Sequence, residues 1–156
     1  MVHDVHIKQI PPQPVATRRV HTTLENLGEA MHVALGEIAM HVEPKGAARG
    51  APFAVYHNMP FQTGDVDVEL GLPLVRGAKI TGDVRARASV VPGGSVAYTI
   101  HVGDYGTIGK AYEAIYAWLD ERGYRASGPP REIYLVGPDE SVLPSEYRTE
   151  IDIPLA

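Results

Sequence analysis

Apolar residues recur along the chain with two periods, one typical of helices and one typical of strands. One stripe with spacings of three and four follows Thr22, whose hydroxyl can cap a helix that begins there. A second stripe of the same spacing begins near Asp104, and Gly123 marks its expected end. The sequence therefore predicts two long helices, near residues 22–42 and 104–122.

Alternating, β-branched or aromatic runs surround the two helices and predict strands. The order strand, helix, strand, strand occurs twice. This order predicts an α+β fold with an eight-stranded antiparallel sheet and both long helices on one face. The expected strands cover residues 3–10, 14–20, 52–58, 65–72, 83–91, 94–102, 131–137 and 146–153.

The order of elements repeats because the sequence itself repeats. The segment "VELGLPL" at 68–74 matches "TEIDIPL" at 149–155, an offset of 81 residues, and Val15 matches Val96 at the same offset. Two copies are too few for a solenoid. We therefore expect one domain over residues 1–156, made of duplicated β-α-β-β units at about 14–74 and 95–155.

Composition excludes several classes of function. Fourteen basic and nineteen acidic residues give a net charge of −5, which disfavours direct nucleic-acid binding. Cysteine is absent, which excludes disulfides and thiolate catalysis. The sequence contains no apolar span or signal peptide, so we expect a cytoplasmic protein away from membranes. Seven histidines occur without an HExxH motif, and we expect no metal and no cofactor.

Glu132 is the candidate functional carboxylate. It alternates with Ile133 in "PPREIYLVGP", which gives the strand one aliphatic face and one face with Glu132 and Tyr134. We expect the aliphatic face to pack under the helices and Glu132 to point to the other side. Aligning Tyr56 with Tyr134 places Ala54 opposite Glu132. The other repeat has a methyl group in place of this carboxylate, which favours a role in binding. A solvated strand glutamate, or a partner for Arg131, fits the spacing as well.

The chain holds eight tyrosines, and aromatic rings beside a buried carboxylate suit a lipophilic cation. Tyr112 and Tyr116 lie on the stripe of the second helix, where we interpret them as core residues.

Several segments together resemble the GyrI-like domains, also called AraC-type effector-binding domains. These segments are "HVGDYGTIGKAYEAIYAWLDERGY", "GPPREIYLVGP" and "TEIDIPL", with "GAPFAVYHN" and "VDVELGLPL" in the first repeat. The resemblance implies an eight-stranded sheet with a ligand groove at a pseudo-twofold interface. It also implies that the acidic pocket residue is Glu132 and that Tyr56, Tyr105, Tyr134 and Tyr147 line the pocket. The family's "HxGPY" turn reads "HVGDY" here, with Asp104 in place of proline.

Members of this family serve as effector sensors fused to DNA-binding helices, as inhibitors of DNA gyrase, or as hydrolases of cyclopropane-containing compounds. Because the chain leaves no room for a helix-turn-helix before residue 14 or after residue 156, we expect a stand-alone version. Together with the resemblance, this predicts a domain that binds lipophilic cationic or aromatic small molecules. A hydrolase that uses Glu132 as its base and a gyrase inhibitor are the alternatives. The expected partners are a small molecule together with a DNA-binding regulator, gyrase or a second copy of the chain.

Overall fold

The computed structural model describes residues 3–83 and 85–156. It confirms the α+β fold with an eight-stranded antiparallel sheet and two long helices. The helices are α1 (Leu27–Val42) and α2 (Gly109–Arg122). The strands are β1 (His6–Ile10), β2 (Gln13–Thr23), β3 (Phe53–Tyr56), β4 (Asp65–Pro73), β5 (Arg87–Val91), β6 (Gly94–Val102), β7 (Arg131–Val136) and β8 (Arg148–Pro154). Val84, in the strand expected at 83–91, lies outside the described residues.

The described chain divides into two compact units. The first-repeat unit is Pro11–Gly93, with strand order β3-β4-β2-β5. The second-repeat unit consists of the described residues up to Ile10 and Gly94–Ala156, with strand order β1-β6-β8-β7. The strand that precedes each repeat therefore pairs with the other repeat, because β1 pairs with β6 and β5 pairs with β2.

Strand pairing follows the sequence repeat residue by residue. β2 pairs with β4 in the same register as β6 with β8, and β3 pairs with β4 in the same register as β7 with β8. Ala54 is therefore the structural counterpart of Glu132, as the alignment of the tyrosines predicted. The corresponding pairs are Val15 with Pro73 and Val96 with Pro154, then Ala54 with Leu70 and Glu132 with Ile151.

The first helix begins later than predicted. Thr22 is part of β2, where it lies opposite Val66 of β4, and α1 begins only at Leu27. The hydroxyl of Thr23 accepts a hydrogen bond of 3.3 Å from the backbone N–H of Asn26, so it stabilises the turn between strand and helix. Long-range strand pairing therefore overrides the local capping signal. The end of α2 at Gly123 is confirmed, with a left-handed φ of 71°.

Each helix packs its apolar stripe on the strands of its own unit. The helix α1 buries Ala34, Ile38 and Val42, and α2 buries Ala111, Ile115 and Leu119. The α2 residues share a core with Ala97, Ile151 and Ile153. Within the described part of the chain, neither of these helices nor any shorter one has the length and apolar character needed to cross a membrane.

Candidate functional site

Glu132 lies on the face of the sheet that packs against α2. Its cross-strand partner is Ile151, which belongs to the core formed with Ala111 and Ile115 of the helix. Directly paired residues of antiparallel strands point to the same face. The prediction that Glu132 points away from the helices is therefore wrong, and it is Leu135, 39% exposed, that lies on the outer face. Alternation separates the two faces of a strand, but it does not say which face the helix covers.

Two phenols hold the buried carboxylate of Glu132, which is 6% exposed. The Tyr112 hydroxyl donates a hydrogen bond of 2.6 Å to Oε2, and the Tyr134 hydroxyl donates one of 3.0 Å to Oε1. Burial raises the pKa of Glu132, whereas these two hydrogen bonds and the nearby His101 lower it. The site therefore removes a carboxylate from water and leaves its charge only partly compensated.

Two further tyrosines extend this group. The ring of Tyr105 meets that of Tyr134 edge to face, with centroids 5.9 Å apart, and lies 5.3 Å from the ring of Tyr147. Burial, followed by the proximity of Tyr147 and Glu132, raises the pKa of Tyr105 to about 12. Its phenol therefore stays neutral at physiological pH. We call the five residues Glu132, Tyr105, Tyr112, Tyr134 and Tyr147 the Glu132 cluster.

The structure brings together four of the five predicted site residues and adds Tyr112. The fifth, Tyr56, lies in the first-repeat unit, where its hydroxyl donates to Met31 Sδ at 3.7 Å and its ring meets Phe61 edge to face. Its role in binding stays a prediction. The position of Tyr112 on the apolar stripe of α2 predicts a core residue rather than a site residue. If Glu132 is placed on the helix side of the sheet, its contact with Tyr112 of α2 follows.

Substituting Tyr112 by Phe is expected to lower the free energy of unfolding by about 1 kcal/mol, because Glu132 loses a charge-assisted hydrogen bond. The same change should raise the pKa of Glu132, since the lost donor favours the charged form. Chemical denaturation and an NMR titration of the Glu132 carboxyl measure the two effects. Tyr116→Phe, on the more exposed neighbouring ring, is the control, and an unchanged pKa in Tyr112→Phe would contradict the assignment.

His101 borders the cluster and is nearly fully buried. Its Nε2 lies 3.0 Å from the carbonyl oxygen of Asp104, so this nitrogen carries the proton and donates. Its Nδ1 lies 3.4 Å from Nε2 of His3, whose ring stacks on it. Both ring nitrogens are thus engaged. Among residues 3–83 and 85–156, no group of three or more His, Asp and Glu side chains is placed to hold a metal ion.

A surface cavity of about 340 Å³ lies elsewhere, between α1 and β2 of the first-repeat unit. Val20, Ala30, Val33 and Ala34 form its apolar walls, and Arg18 and Glu29 are its charged residues. None of the predicted site residues lines it.

The chain belongs to the family of GyrI-like small molecule binding domains, whose model matches residues 3–156. This match confirms the resemblance seen in the sequence. It also confirms small-molecule binding as the function expected from the sequence. No curated protein matches the chain.

Solved structures share this fold at low sequence identity. The C-terminal domain of EcmrR is 22% identical with a TM-score of 0.86, and the match covers 100% of this chain and 99% of that one. EcmrR in a complex with DNA is 23% identical with a TM-score of 0.81, and the match covers 98% of this chain and 57% of that one. SAV2435 bound to tetraphenylphosphonium is 11% identical with a TM-score of 0.59, and the match covers 98% of this chain and 94% of that one.

Proposed function

We propose that this chain binds lipophilic organic cations at the Glu132 cluster. Glu132 supplies the negative charge, while Tyr105, Tyr134 and Tyr147 supply aromatic faces for stacking and cation–π contacts. The observation that carries the proposal is the burial of Glu132 at a position that the first repeat fills with Ala54. A fold that accepts alanine at this position does not need a charge there.

The electrostatics of Glu132 support a cationic ligand. A buried carboxylate costs free energy unless it is paired. Here two neutral phenols donate to it, and no lysine or arginine among residues 3–83 and 85–156 forms a salt bridge with it. A carboxylate offers about four acceptor positions, of which the two phenols occupy two. An incoming cation can therefore pair with Glu132 while both phenols keep donating.

The structures of SAV2435 and of EcmrR with DNA support the same proposal by analogy. SAV2435 is bound to a lipophilic cation, and EcmrR places a domain of this fold in a protein that binds DNA. We propose accordingly that the chain reports the ligand to a DNA-binding regulator. Gyrase inhibition, self-association and hydrolysis with Glu132 as base stay predictions.

The test compares a cation with a neutral compound of similar shape. In Glu132→Gln, the affinity for tetraphenylphosphonium is expected to fall about 30-fold, or about 2 kcal/mol, because one partner of a desolvated charge pair is removed. The affinity for triphenylphosphine oxide should change less than about threefold, since a neutral ligand gains little from the charge. Isothermal titration at fixed salt concentration measures both.

Glu113→Gln is the matched control, because Glu113 is an exposed residue of α2 and its loss changes the net charge equally. This variant should bind both compounds as the wild type does. Equal losses for both compounds in Glu132→Gln would indicate a structural lesion rather than a charge effect. Unchanged cation affinity would place the binding site away from Glu132 and refute the proposal.

A further inference from the structure

A second polar group of the second-repeat unit lies beside Glu132 and has unused hydrogen-bonding capacity. Thr149 is fully buried, and its Oγ1 has no hydrogen-bond partner among the described residues. Buried hydroxyls nearly always have a partner, because leaving one unpaired costs free energy. An unpaired hydroxyl inside a domain that binds small molecules therefore indicates a place where a ligand atom completes the bond.

Strand pairing places Thr149 on the same face as the Glu132 cluster. Thr149 lies directly opposite Tyr134 on one side and His101 on the other. It is two residues from Ile151, the partner of Glu132, so Thr149 and Glu132 are diagonal neighbours roughly 7–8 Å apart at their Cα atoms. One ligand group of modest size can contact both side chains.

The neighbours of Thr149 do not satisfy it. The imidazole of His101 uses one nitrogen on the Asp104 carbonyl and the other on His3. The hydroxyl of Tyr134 donates to Glu132. Both residues that flank Thr149 are thus committed to other contacts, and the O–H and both lone pairs of Thr149 are left unused, so Oγ1 can accept a hydrogen bond from a ligand.

The first repeat carries an apolar version of the same arrangement. Val68 lies opposite Tyr56 as Thr149 lies opposite Tyr134, and Val68 is fully buried. Valine has the shape of threonine without the hydroxyl. Relative to the first repeat, the second repeat therefore adds a hydroxyl at Thr149 and a carboxylate at Glu132, on neighbouring strands of one face.

We propose that Thr149 makes this site selective for organic cations that carry an N–H donor, such as protonated amines. The cationic N–H donates to Thr149 Oγ1 while its charge pairs with Glu132. A quaternary ammonium or phosphonium ion of the same size satisfies the carboxylate but leaves the hydroxyl unpaired. This inference rests on the proposed function and names the class of cation that the site prefers.

The experiment uses two cations with the same ring and charge, dimethyl(naphthylmethyl)ammonium and trimethyl(naphthylmethyl)ammonium. Only the first has an N–H. The wild type is expected to bind it about tenfold more tightly, and Thr149→Val should abolish this preference by weakening the first cation about tenfold and leaving the second unchanged. Thr149→Val should also raise the melting temperature of the free protein, because it removes an unpaired buried hydroxyl.

Thr17→Val is the matched control, since Thr17 Oγ1 is equally buried and unpartnered within the described residues but belongs to the first-repeat unit. It should leave both affinities unchanged. Equal binding of the two cations by the wild type, or an unchanged ratio in Thr149→Val, would overturn the inference while leaving charge-dependent binding intact. If Glu132→Gln left the affinity for both cations unchanged, the proposed function would be refuted and this inference with it. The ratio in the wild type tests the inference even if a variant fails to fold.

Discussion

The free energy of unfolding is expected to fall by about 3 kcal/mol between about pH 5 and pH 8, because the folded protein releases a proton from Asp152 over this range. Asp152 is 2% exposed. Burial, followed by the neighbouring Glu150, raises its pKa from 3.8 to about 7. The folded state therefore binds this proton more tightly than the unfolded chain does. The resulting stabilisation is complete below pH 3.8 and is lost as the pH rises through about 7.

The contacts of Asp152 explain why it takes the proton. Arg131 donates a hydrogen bond of 2.8 Å to Oδ2, which opposes protonation, but burial and Glu150 outweigh it. Burial acts against Glu150 as well, yet hydrogen bonds from Asp152 and Lys8 lower the pKa of Glu150. The proton of the pair therefore resides on Asp152. A protonated Oδ1 can donate to Glu150, which gives that buried oxygen the partner it lacks among the described residues when it is charged.

Chemical denaturation across the pH range, on the wild type and Asp152→Asn, measures this effect. The amide cannot titrate, so the stability of the variant should change by about 3 kcal/mol less over the same range. The two proteins should differ most above pH 7, where the wild type carries a buried anion beside Glu150. Parallel pH profiles for the two proteins would show that Asp152 is not the group responsible.

The fold could be predicted from the sequence because its signals are local or repeated. Strand alternation, the helical stripes and the offset of 81 residues are all visible in the amino-acid sequence. The register of β6 with β8 repeats that of β2 with β4 at the same offset. Partner choice between strands is not local. The pairing of β1 with β6 and of β5 with β2 depends on segments that are distant in sequence, so no local pattern predicts it. The late start of α1 has the same cause, because pairing with β4 continues β2 as far as Thr23.

The candidate site could be predicted only in part. Glu132 was identified by its contrast with Ala54, and this contrast depends on sequence alone. Tyr112 and Thr149 were missed, because a tyrosine on a helical stripe and a threonine in a strand are ordinary core residues. Their importance comes from a three-dimensional fact, the position of Glu132 on the helix side of the sheet. Once that face is known, comparing the repeats singles out Thr149, because the first repeat has Val68 at the corresponding position.

The buried carboxylate of Glu132 and its two phenol donors should cost the protein stability, and replacing these three side chains together should recover that stability. Glu132→Met alone is expected to lower the free energy of unfolding by about 1 kcal/mol, because the hydroxyls of Tyr112 and Tyr134 lose their acceptor. The triple variant with Met at 132 and Phe at 112 and 134 should exceed the wild type by about 2 kcal/mol. Replacing a complete buried polar network by apolar side chains of similar volume removes its desolvation cost.

The control is the double variant Tyr112→Phe and Tyr134→Phe, which leaves Glu132 buried without its two donors. It should be less stable than the wild type by about 3 kcal/mol, as expected when a buried charge loses its partners. Urea denaturation of the four proteins should therefore rank the triple variant first, then the wild type, Glu132→Met and the double variant. Cation affinity should be lost in the triple variant despite its greater stability. A triple variant less stable than the wild type would mean that the cluster supports the fold, and the case for binding at Glu132 would lose its physical basis.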